Sequence, residues 1–82
     1  MIIRGLKRSS GEYEGYKYDN IVCHCLSDDN SGLLYGDAVE IVKVPYPVFM
    51  DWLAGSELDA AVGMDVNFIY NKSGKVTAIT LR

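Results

Sequence analysis

The chain has 82 residues, 49% of them hydrophobic and 23% charged, with a formal net charge of −3 and a pI near 4.9. That length holds one domain with a thin stability margin, so association is a ready way to add buried area. The composition excludes a disordered segment, no apolar run approaches the roughly 18 residues of a membrane span, and the acidic balance argues against indiscriminate nucleic-acid binding.

The start, "MIIRGLKRSS", has an apolar stretch too short for a signal peptide, and a cytoplasmic protein is expected. A first strand is predicted from Met1 to about Ser9, with Gly5 marking a bulge or bend. "GEYEGYKYDN" (Gly11–Asn20) then reads as a loop rich in tyrosine that leads into a second strand, about Tyr18 to Ser27. Ile21, Cys23 and Cys25 share one face of that strand, and Val22, His24 and Leu26 the other. Both faces are largely apolar, so either is a candidate core face. "SDDNSG" (Ser27–Gly32) signals a turn. A third strand follows from about Ala38 to Val44, ended by Pro45 and Pro47.

Between Pro47 and Gly63 the apolar period becomes helical. Pro47 suits a first helical turn, Ser56 and Asp59 resemble a capping box, and Gly55 is a natural break. Phe49 and Trp52 read as core plugs, with a partner-binding role as the rival. "MDVNFIY" alternates as a fourth strand, "NKSG" is a hairpin loop, and "KVTAITL" is a fifth strand. The fold class expected is therefore mainly β with one short helical region, in the order β-β-β-α-β-β. A five-stranded OB-like Greek-key barrel has this order, and an SH3-like barrel or another α+β sheet shares much of it.

Three places carry a resemblance to a known family: the basic first strand "IIRGLKRS", the turn "GYKYDN" and the closing hairpin "VNFIYNKSGKVTAI". Together they cover about half the chain, and they resemble small OB-type single-stranded DNA-binding proteins of phages and mobile genetic elements. The resemblance implies a cytoplasmic homodimer that holds single-stranded DNA, or RNA, on its barrel face. The acidic net charge departs from that pattern.

Single-strand binding needs aromatic faces for bases and cations for phosphates. The residue types that fit are Tyr13, Tyr16, Tyr18 and Tyr70 for stacking, and Arg4, Lys7, Arg8, Lys17 and Lys72 for phosphates. Glu12 and Glu14 interleave with the tyrosines and would repel a phosphate chain. "CHC" (Cys23–Cys25) lacks a second ligand pair, so no metal or other cofactor is expected. No nucleophile, phosphate-loop or dinucleotide motif is present, so the expectation is a non-catalytic binding protein. The alternative function is a protein–protein interaction module of a phage or mobile-element system with no nucleic-acid contact.

Overall fold

The computed structural model describes residues 1–27 and 32–82. Most of the turn expected at Ser27–Gly32 therefore lies outside the described residues. Five strands form, β1 (Ile2–Tyr13), β2 (Tyr16–Ser27), β3 (Ala38–Pro45), β4 (Val66–Tyr70) and β5 (Val76–Leu81), with one helix, α1 (Tyr46–Leu53), and a 3₁₀ turn (Leu58–Ala61) between β3 and β4. They make two antiparallel sheets, one ordered β1-β2-β3 and the other β4-β5.

Gly5 does mark a bulge. The β1–β2 register shifts between Ile3 and Gly5, so Ile3 faces Cys25 and Gly5 faces His24. The shift turns the base of β1 toward the second sheet. There the Ile3 N–H donates to the Met64 carbonyl at 2.9 Å, the Gly63 N–H to the Ile3 carbonyl at 2.6 Å, and the Val66 N–H to the Met1 carbonyl at 2.8 Å. Together with the Ile2–Asp65 bridge, these bonds join the two sheets along one short seam.

The expected closed barrel is not formed. Strand β3 lies beside β5, but no ladder joins them among the described residues. The strands also differ in length. β1 and β2 have 12 residues each, whereas β4 has five and β5 six. The second sheet is too short to reach the distal parts of β1 and β2. A 12-residue strand rises about 40 Å, close to the longest molecular extent of 44 Å.

The core sits between the two sheets and under α1. Ile3, Ile21, Cys23, Cys25, Val42 and Val44 enter from the larger sheet, Phe49 and Leu53 from α1, Ala61 from the 3₁₀ turn, and Val66, Val76 and Ile79 from the smaller sheet. The core face of β2 is thus the cysteine-bearing one, and His24 points away from it. Phe49 is fully buried, with the half-buried Trp52 edge-on at 5.5 Å. Proline near the N-terminus of α1 needs no N–H there, and the helix stops where Ala54 turns left-handed (φ 54°) ahead of Gly55 (φ 90°). The Ser56–Asp59 capping box does not form. Glu57 occupies the cap of the 3₁₀ turn without a side-chain bond.

Candidate nucleic-acid interface

β1 and β2 are longer than the sequence signals suggest, and the loop expected at residues 11–17 is instead a two-residue turn. Glu14 (φ 50°) and Gly15 (φ 82°) both take positive φ, the signature of a type I′ hairpin. Tyr13 then pairs with Tyr16, Glu12 with Lys17, Gly11 with Tyr18 and Ser10 with Asp19. Residues that pair across antiparallel strands share a face, and alternate pairs take opposite faces.

This register sorts the side chains. The face directed away from the core holds Lys7, Tyr13, Tyr16, Tyr18, Val22, His24, Ile41 and Lys43. The other face continues the core outward through Leu6, Arg8, Ser10, Glu12, Lys17, Asp19 and Glu40. Every carboxylate of the three described strands therefore lies on the inward side, and Glu14 sits in the turn. The outer face carries two lysines and three tyrosines that are 70%, 80% and 45% exposed, for Tyr13, Tyr16 and Tyr18.

Tyr18 lies across Gly11, where a methyl group would meet its hydroxyl oxygen at 2.6 Å and Cζ at 2.9 Å. A glycine opposite an aromatic ring lets the ring lie flat on the backbone, which pins Tyr18 over the sheet. An open groove of about 460 Å³ runs beside it, lined by Ser9, Tyr13, Tyr18, Asn20, Val22 and Lys43.

The other sequence candidates are dispersed. Arg8 faces inward, and its Nε and Nη2 donate to the two oxygens of Asp19 at 3.0 and 2.7 Å. The guanidinium also lies 3.9 Å from the Tyr46 ring centre. Its hydrogen bonds to Asp19 raise the Arg8 pKa and lower that of Asp19. Arg8 is thus an internal tie between the hairpin and α1. Lys17 is on the inward face opposite Glu12, and Arg4 is exposed within the bulge.

Tyr70 belongs to another part of the molecule. Burial, then the nearby Glu40 and Cys25, push its phenol pKa up. Cys25 is seven residues along β2 from Tyr18, about 23 Å at strand rise, so Tyr70 is not grouped with the arm tyrosines. Lys72 follows in the β4–β5 turn, where Asn71 Oδ1 accepts the N–H groups of Ser73 and Lys75 at 2.9 and 3.0 Å.

Lys43 belongs to the site and was not anticipated. Its signal was its position between Val42 and Val44, which alternation alone assigns to the face opposite the buried valines. Cys23 and Cys25 are buried free thiols on the core face. Burial, and then the neighbouring Cys25, push the Cys23 pKa up to about 12, which makes it a packing residue rather than a nucleophile. Among the described residues, no group of three or more His, Cys, Asp or Glu side chains is placed to hold a metal ion, and no helix is long and apolar enough to cross a membrane. No family model, curated protein or solved structure matches this chain.

Proposed function

We propose that this protein binds single-stranded nucleic acid on the outer face of the β1-β2-β3 sheet. One observation carries the reading: the register puts Tyr13, Tyr16, Tyr18, Lys7 and Lys43 on one face of these three strands and every carboxylate of the strands on the other, where Lys17 and Arg8 also lie. Tyr13, Tyr16 and Tyr18 offer ring faces for unpaired bases, each stacked base contributing about 1–3 kcal/mol. Lys7 and Lys43 flank Val22 on the middle strand and meet the phosphate chain from both sides. An acidic net charge then matters less than the local field, because charges on the far side are screened by salt over about 8–10 Å.

The fold proposed is an open OB-like arrangement. Its support is the neighbour order: β3, β2 and β1 are laddered, β1 meets the start of β4, β4 pairs with β5, and β5 lies beside β3. In such folds, the face of strands two and three is a usual site for oligonucleotides.

The test is fluorescence anisotropy of a labelled oligo-dT at about 50 mM and 200 mM salt. Binding that weakens with salt, and weakens further in Tyr16→Ala, is expected. No binding at micromolar protein and the lower salt overturns the reading. A second reading, a protein-interaction module, draws on Val39 and Ile41, which are 65% and 62% exposed on the same outer face near the far end of β3. Val39→Ser with Ile41→Ser removes that apolar surface without adding charge; it abolishes partner capture under the second reading and leaves the salt dependence of oligo-dT binding unchanged under the first.

A further inference from the structure

From Gly5 to Tyr13 the outer edge of β1 has no strand beside it among the described residues. An uncovered edge is a template for another strand, and proteins usually block it with proline, a bulge, charges that repel a second strand, or a covering element. This edge contains no proline, and its bulge lies at the base.

The turn fixes which backbone groups point outward. A two-residue I′ turn closes on a hydrogen-bonded pair, here Tyr13 with Tyr16. Bonded and non-bonded pairs then alternate, so Gly11, Ser9 and Lys7 bond toward β2. Glu12, Ser10 and Arg8 direct their N–H and C=O groups away from it.

We infer that this edge pairs antiparallel with the same edge of a second copy, about a two-fold axis at Ser10. In that register, Arg8 faces the partner's Glu12, Ser10 faces the partner's Ser10, and Glu12 faces the partner's Arg8. The three pairs exchange about six backbone hydrogen bonds. The sequence of the edge is complementary to itself when reversed: cations at Lys7 and Arg8, small residues at Ser9, Ser10 and Gly11, and an acid at Glu12. Shifting the register by two residues in either direction removes the Arg8–Glu12 match.

Arg8 has the donors for it. Asp19 takes Nε and Nη2, and the guanidinium carries two further donors on Nη1. On the outer face, Lys7 falls beside the partner's Tyr13, a cation against an aromatic ring. The result is a continuous six-stranded sheet with the tyrosines of both copies on one side. The inference does not depend on nucleic-acid binding, because it is read by mass.

Sedimentation equilibrium of the full chain, from micromolar to about 100 µM, is expected to give twice the 9.1 kDa protomer mass. Glu12→Lys places like charges opposite Arg8 twice per dimer, and Ser10→Pro removes an outward N–H at the axis. Each is expected to weaken association at least tenfold, with far-UV circular dichroism unchanged. Ser10→Cys needs no disruption at all. Paired Cα atoms about 5.5 Å apart lie within disulfide range, so mild oxidation gives a covalent dimer. Ser9→Cys, facing the partner's Gly11, does not. A monomer at 100 µM, or a dimer that both disrupting variants leave intact and Ser10→Cys fails to cross-link, overturns the inference.

Discussion

The β1–β2 hairpin has two halves made from the same two strands, and they do different work. In the proximal half, Ile3, Ile21, Cys23 and Cys25 are fully buried beneath α1 and the smaller sheet. In the distal half, from Lys7 to Asn20, nothing is fully buried and three tyrosines stand exposed. The first half derives its order from apolar burial. The second is held by its own ladder, the I′ turn, the Tyr18–Gly11 contact and the Arg8–Asp19 tie. A short second sheet thus leaves a projecting arm whose side chains need not pack inward.

The sharpest way to separate the halves is to damage the proximal one. Ile21→Ala removes a fully buried side chain and is expected to cost about 2–5 kcal/mol, read as a lower midpoint in urea unfolding. Oligo-dT binding at low temperature should survive wherever the protein stays folded. An unchanged midpoint would place Ile21 outside the core.

Alkali probes the same half. The Cys23 thiol rises from an ordinary 9.0 to about 12 on folding. The unfolded chain therefore loses this proton first. Stability from this group is fully present below about pH 9 and is lost as pH rises toward 12. The midpoint of thermal unfolding should fall between pH 8 and 10.5, and by less in Cys23→Ala. Equal slopes in the two proteins would contradict the assignment.

Damage to the distal half should do the reverse. Tyr16→Ala is expected to leave thermal stability nearly unchanged and to weaken oligo-dT binding by about 1–3 kcal/mol. Tyr70→Ala, at the other end of the molecule, should leave binding unchanged. A larger loss in Tyr70→Ala than in Tyr16→Ala would move the site to the smaller sheet.

The turn at the tip of the arm is next in size. Gly15 sits at φ 82° with open space around it. Gly15→Ala therefore has strain without a clash, about 1–2 kcal/mol for a left-handed residue. The expected signature is a frayed arm with binding reduced and the core transition intact, measured by amide exchange at Tyr16 and Tyr18, whose N–H groups bond across the hairpin.

These contrasts also show where the sequence was readable. The five strands with their one helical region, the Gly5 bulge, the break at Gly55 and the burial of Phe49 follow from local periodicity and punctuation, which act over a few residues. The arm was not readable in the same way. Tyr13 and Tyr16 are an odd number of residues apart, so on a single strand they would face opposite ways. Only a turn of two residues returns them to one face, and "YEGY" does not announce that Glu14 will accept a positive φ. The same step disposes of the glutamates: Glu12 was counted beside the tyrosines because sequence adjacency says nothing about faces until the register is known. Closure was out of reach for a different reason, since it depends on a ladder between β3 and β5, which are distant in sequence and share no local signal.

The smallest expected effect tests the sorting of charge itself. Lys43 and Lys17 are both exposed lysines on this sheet, but they lie on opposite faces. If Lys43 meets a phosphate, Lys43→Ala should reduce the slope of log affinity against log salt by about 0.7, the single-strand value per phosphate. Lys17→Ala should leave the slope unchanged, because Lys17 looks toward Glu12 on the carboxylate side. Equal changes in the two variants would mean that the strand follows the edge of the arm and not its outer face. The tyrosines would then stack bases from the rim, and the separation of charges by face would no longer explain how an acidic protein holds a polyanion.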